Sequence, residues 1–303
     1  MKEQNQWQGW EAALTGPAAT APLSPPDIPL KEKASVAAEL REFRSASQEQ
    51  FLTIRQGLKE LLQAGSPAVE DKGALLYELL LAWTRQFYNI PDCRSGALLE
   101  VAQDLVAAFY RLLAAAPHLG LLAVSFRRPE AGLPGHCLNV SLLGLSYARF
   151  YAWPETAARL LGLGALLHDL GMTTLTTAWE KGSPLSGDEL EVLRRHPQAG
   201  VKLLGPFPQL SGKIFLMVAQ HHENADGSGY PLGLPLAAIH PYARLLRILD
   251  TFEALTAVRP WRAPLSPDKA LACMRYSGAG NAEFDLRLLE NFRRFWTRLA
   301  AQG

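Results

Sequence analysis

The chain has few cysteines, almost no net charge and no strand-like patterning. Its three cysteines, Cys93, Cys137 and Cys273, lie far apart among 303 residues and form no CxxC pair. That spacing suggests neither a disulfide framework nor a zinc-thiolate site, and it fits a reducing, cytoplasmic compartment. A net charge of +1 gives no support to a general nucleic-acid-binding surface, and no DNA partner is expected. The N-terminal "MKEQNQWQGWE" lacks the apolar core of a secretory signal. The most apolar stretch, "LVAAFYRLLAAAPHLGLLAVSF", is interrupted by Arg111, Pro117 and His118. It reads as a buried helix followed by a break, not as a membrane span. Apolar and polar residues nowhere alternate over the length of a strand, and no repeat period is found.

What is present is helical. A hydrophobic fraction of 48% is enough for a sizeable core. Residues 1–35, Ala- and Pro-rich from residue 12, are expected to form a disordered or extended leader. Val36, Leu40, Phe43, Phe51, Ile54, Leu58 and Leu61 then recur at helical spacing. They fit a core helix or one side of a homodimer seam, and spacing does not choose between the two. Further helices are predicted over "ALLYELLLAWTRQFY" and from about Ala97 to Ala116. Residues 36–125 are therefore expected to form an N-terminal regulatory or dimerising module, followed by a second domain over 126–303. In that second part Pro154 is expected in the first turn of a helix ending at His168. Ser186 and Glu189 form a capping-box pattern expected to open a helix that carries His196. The expected fold class is all-α.

Five of the seven histidines fall at landmarks in this second part. His136 opens a helix, and His168 ends one with Asp169 beside it. His196 lies in "RRHPQAG", His221 and His222 in "QHHENADGSGYP", and Asp250 in mid-helix in "RILDTFEALTAVRPWR". Imidazole with carboxylate suits Fe, Mn, Zn and similar divalent ions, and facing helices can build such a site in a bundle core. An aspartate directly after a histidine can give one oxygen to each of two ions, holding them close enough to share a hydroxide that attacks phosphorus. Each residue alone has a plainer reading, as a hydrogen-bonded core histidine or a solvated acid. The joint pattern points to metal.

From about residue 130 onward the chain resembles the HD-GYP domain, a branch of the HD phosphohydrolases. The matching text is "GHCLNVSLLGLSYAR", "GALLHDLGM", "LSGDELEVLRRHPQAGVKLL", "HHENADGSGYPLGL" and "RLLRILDTFEALTAVRPWR". The resemblance implies a helical bundle holding two or three metal ions, often iron or manganese, with Zn, Ni or Co as other options. It implies hydrolysis of cyclic di-GMP to pGpG or GMP. His136, His168, Asp169, His196, His221, His222 and Asp250 fall on the family's metal positions, with Asp169 as the bridging, catalytic carboxylate. Arg259 and Arg262 fall where members place basic groups against the substrate phosphates, a task that suits a guanidinium fork. Without that context they would read as surface charge. Gly229 and Tyr230 belong to the signature loop. With Pro231 that loop could order the site, contact substrate or dock a diguanylate cyclase domain.

The chain departs from the pattern twice. The usual HDxGK reads "HDLGM" here, so Met172 replaces a lysine, and a thioether cannot donate a charged hydrogen bond to phosphate. Trinuclear members also carry a glutamate one turn before the first histidine. That position is Gly132, and Glu130 lies in an adjoining loop. Two metals are expected. A metal-binding signalling or adaptor protein with little turnover, and a phosphohydrolase of another phosphoester, stay open beside the cyclic di-GMP phosphodiesterase.

Overall fold

The computed structural model describes residues 68–91, 94–125, 131–175, 186–258, 263–276 and 283–301. The leader, the periodic stretch Val36 to Leu61, Glu130, Arg259 and Arg262 lie outside the described residues. Eleven α-helices and no strand occur among the described residues, as expected of an all-α chain. They are α1 Val69–Asn89, α2 Gly96–Ala115, α3 Leu122–Ser125, α4 Gly132–Phe150, α5 Glu155–Leu167 and α6 Gly187–Leu193. After these come α7 His196–Leu204, α8 Gly212–Gln220, α9 Pro241–Thr256, α10 Pro267–Tyr276 and α11 Leu286–Ala300.

Helix α4 is the axis of the bundle. Every residue from Leu133 to Ala148 is buried, as its nearly unbroken apolar sequence requires of a helix covered on all sides. Helices α1, α2, α5 and α9 pack around it. Tyr77, Trp83 and Phe87 of α1 and Leu105 and Phe109 of α2 belong to the same hydrophobic cluster as Leu142, Leu161, Leu166 and Phe252. The long apolar stretch from Leu105 begins in the second half of α2 and continues through the 3-10 turn Pro117–Leu121 into α3. Helix α2 stops at Ala115, before Pro117, and no described helix is long and apolar enough to cross a membrane.

Caps set the helix starts that position the site. Ser95 Oγ accepts the Leu98 amide at 3.2 Å at the head of α2, and His240 Nδ1 accepts the Tyr242 amide at 3.2 Å at the head of α9. The capping box at Ser186 and Glu189 is present, but the helix it opens ends at Leu193. His196 begins the next helix, α7, after a two-residue turn. Pro154 is the N-cap of α5, one residue ahead of the first turn.

Candidate metal centre

Three of the histidines are placed by helix ends. The last carbonyls of a helix have no partner within it, and a histidine three residues on can satisfy one. His168 Nδ1 meets the Ala165 carbonyl at 2.7 Å at the end of α5. His196 Nδ1 meets the Leu193 carbonyl at 2.7 Å at the end of α6, and His221 Nδ1 meets the Val218 carbonyl at 2.9 Å at the end of α8. A carbonyl only accepts, so each Nδ1 carries its proton and each Nε2 is left for another partner. His136 is held differently, from within α4, by Glu253 Oε2 at 2.5 Å from its Nδ1.

The free Nε2 atoms converge on Asp169, which follows His168 between α5 and the 3-10 turn Leu170–Thr174. Its Oδ1 lies 3.1 Å from His196 Nε2 and 3.4 Å from His221 Nε2. Its Oδ2 lies 3.5 Å from His168 Nε2 and 3.8 Å from His136 Nε2. One carboxylate thus faces two groups of donors: His196, His221 and His222 on one side, and His136, His168 and Asp250 on the other. Asp250 Oδ1 sits 3.1 Å from His136 Nε2. All seven residues proposed as metal ligands from sequence are brought together.

The arrangement calls for cations. Asp169 Oδ1 and His168 Nε2 are buried with no hydrogen-bond partner, a costly state unless something else fills the place. His196 Nε2 and His221 Nε2 face each other at 3.1 Å. Each ring has its other nitrogen committed as donor, so the pair is satisfied either by an extra proton shared between the two rings or by a metal ion. Two donors on one ion at about 2.0–2.1 Å would stand ~3 Å apart. Burial pushes His168 down to about 4, so its ring is neutral at pH 7. Burial opposes ionisation of Asp169, but the surrounding histidines, His168 first, hold it well below the usual carboxylate range. Burial also opposes a charge on His136, yet Glu253 and Asp250 outweigh it and raise the ring to about 10. The residues fit a metal pair.

Two glycines allow this approach. A Cβ on Gly171 would collide with the His196 carbonyl, so the "HDLG" turn can pack on α7 only with glycine there. A Cβ on Gly229 would collide with the Asn224 amide, which locks the signature loop onto its own start. Tyr230 then stacks on His222, ring centroids 4.7 Å apart and 21° from parallel, with the Arg194 guanidinium 5.7 Å from the Tyr230 ring centre on the outside. Met172 is buried among apolar side chains.

Several contributing residues were not read from the sequence. Glu223 accepts the Leu232 amide at 2.7 Å and the Leu234 amide at 2.8 Å, tying the loop shut. Asn139 and Glu253 sit three residues after His136 and Asp250, a spacing that shares a helix face and could have flagged them. Tyr88 hydroxyl donates to the Leu166 carbonyl at 2.8 Å and lies 3.2 Å from Cys137 Sγ. Nothing local in the sequence marks that contact.

Fold and site together define an all-α bundle that gathers histidines and aspartates from several helices around one buried carboxylate. The chain belongs to the HD domain family, which matches residues 109–288. A cyclic di-GMP phosphodiesterase of Pseudomonas aeruginosa is 30% identical over 204 residues, covering 66% of this chain and 49% of its own. The cyclic di-GMP phosphodiesterase response regulator RpfG of Xanthomonas campestris is 36% identical over 138 residues, or 45% of this chain and 36% of its own. The 3′3′-cGAMP-specific phosphodiesterase 3 of Vibrio cholerae is 34% identical over 144 residues, or 46% and 30%. The chain thus spans half or less of the length of these curated relatives. The solved structure of Bd1817, a HDG"Y"P protein from Bdellovibrio bacteriovorus, shares the fold. Its TM-score is 0.68 at 16% identity, covering 82% of this chain and 80% of that one.

Proposed function

We propose that this protein is a metal-dependent phosphodiesterase that hydrolyses cyclic di-GMP. The observation that carries the reading is Asp169, whose two carboxylate oxygens each face a separate group of histidine nitrogens. In this reading His196, His221 and His222 hold one divalent ion, His136, His168 and Asp250 hold the other, and Asp169 touches both. Fe or Mn are the leading candidates for this His/Asp donor set. When bound, such a pair supplies Lewis-acid stabilisation of phosphoryl oxygens and a hydroxide at neutral pH.

The chain's own residues orient the donors, hold the His168 and His222 rings neutral through burial, and close the site. The loop through Gly229, Tyr230 and Pro231 walls the His222 side. A diguanylate cyclase domain would dock on its outer face, where Leu232 is 66% exposed. Arg259 and Arg262 are the proposed phosphate contacts. The described cysteines, Cys137 and Cys273, are both free, which fits a cytoplasmic setting.

The test is anaerobic purification, a metal count, and assays of cyclic di-GMP and 3′3′-cGAMP with Fe(II) or Mn(II). About two ions per chain and conversion of cyclic di-GMP to pGpG or GMP are expected. Turnover of the mixed dinucleotide alone would move the substrate, not the chemistry. Met172 favours a second reading, a metal- and nucleotide-binding signalling protein. Two ions with nucleotide binding and no turnover would establish it.

A further inference from the structure

His136 differs from the other ring donors in a way that leads out of the site. His168, His196 and His221 each use a carbonyl of the helix that carries or precedes them, so local chain geometry orients them. His136 lies inside α4, where the backbone carbonyls are already taken by the helix, and its Nδ1 must find an acceptor elsewhere. It finds Glu253 Oε2 of α9 at 2.5 Å. Glu253 Oε1 accepts from Asn139 Nδ2 at 3.1 Å, and Asn139 Oδ1 accepts from the Tyr77 hydroxyl at 3.0 Å. Tyr77 is 0%, Asn139 4%, Glu253 2% and His136 7% exposed, so water does not compete for these bonds. The pattern also orients the Asn139 amide, because its NH2 faces a carboxylate and its oxygen faces a hydroxyl.

Tyr77 lies on α1, ahead of the family match that begins at residue 109. We infer that Tyr77 is a positioning residue of the metal centre. Through Asn139 and Glu253 it fixes the His136 ring, and so the half of the centre built by His136, His168 and Asp250. The inference rests on the metal-pair reading above and adds to it that α1 sets the occupancy of one half-site. This chain of bonds ends on His136 and does not run to the other half, His196, His221 and His222. The direct partner of a ligating histidine, here Glu253, is worth about 10–100-fold in metal affinity, and Tyr77, two hydrogen bonds further out, is expected at the low end of that range.

Tyr77→Phe removes the hydroxyl and keeps the ring. The metal-free full-length protein, wild type and variant, is titrated with Mn(II) and followed by metal binding and by the magnetic signal of a coupled Mn(II) pair. Wild type should take up about two ions and show the coupled signal. Tyr77→Phe should keep one ion at wild-type affinity, bind the second about tenfold more weakly, and show an isolated Mn(II) signal at limiting metal. Tyr110→Phe is the control. It removes a buried hydroxyl of α2 that donates to the Trp153 carbonyl, away from the centre, and it should leave both ions unchanged. Unchanged binding in Tyr77→Phe overturns the inference alone. An equal loss in Tyr110→Phe does the same, by showing a general packing effect. A wild type that binds none of Mn(II), Fe(II), Zn(II), Ni(II) or Co(II) removes the metal reading itself, and this inference with it.

Discussion

Asp169 carries more of the site than any other residue. Its charge is held by rings on both sides, and its Oδ1 is buried with no hydrogen-bond partner although His196 Nε2 lies 3.1 Å away, because that ring's proton is committed to the Leu193 carbonyl. Asp169→Asn keeps the shape and removes the charge. The expected result is loss of at least one ion per chain, read by elemental analysis, and a fall in turnover on the order of 100-fold or more. Met172 poses the opposite question. Its side chain is packed in the core, 8% exposed, so Met172→Lys must place an ammonium where a thioether sits. Burial of that charge should lower stability by about 1–3 kcal/mol in a urea melt. A gain in turnover despite that loss would show that the lysine side chain reaches substrate.

At the scale of the element, the site is built by helix ends. His240 caps α9, the helix that carries Asp250 and Glu253, by accepting the Tyr242 amide on Nδ1. Burial, with Lys213 and Arg244 nearby, pushes His240 down to about 4. The folded state therefore binds fewer protons than the unfolded chain between about pH 6.5 and 4. The contribution is present above pH ~6.5 and is lost as pH falls through about 4, when protonation of Nδ1 also removes the cap. His240→Asn keeps a capping side chain without the titration. Its urea midpoint should fall less than that of wild type between pH 7 and 4. The signature loop makes a second case, because both oxygens of Glu223 accept amides of its returning strand of chain. Glu223→Ala should cost about 2–4 kcal/mol, and limited proteolysis should then cut within residues 224–234.

At the scale of the molecule, α1 and α2 cannot be separated from the centre. Tyr77 and Tyr88 reach the metal-site helices, and Arg94 Nη2 bridges the Tyr88 carbonyl at 2.9 Å and Thr173 Oγ1 at 3.1 Å, next to Met172. A chain starting after residue 95 loses the buried Tyr77, Trp83 and Phe87 from the shared core. It should show no cooperative thermal transition by circular dichroism. Chelation of bound metal from the full chain should lower its melting temperature, and Mn(II) should restore it, because ions that bind only the folded state stabilise it.

The all-α class, α2 with its break and the seven residues that the structure gathers around Asp169 were all legible in the sequence. Helical periodicity is a local property, and "HHENADGSGYP" and "ILDTFEALTA" are local text. The start of α7 was less legible, since a capping box marks where a helix begins but not how soon it ends. Two decisions belonged to the tertiary structure alone. They are the split of Asp169 between two donor groups and the chain of bonds from Tyr77 to His136. Each depends on distances between residues separated by tens of positions. No pattern within one helix records which side chain the neighbouring helix will present.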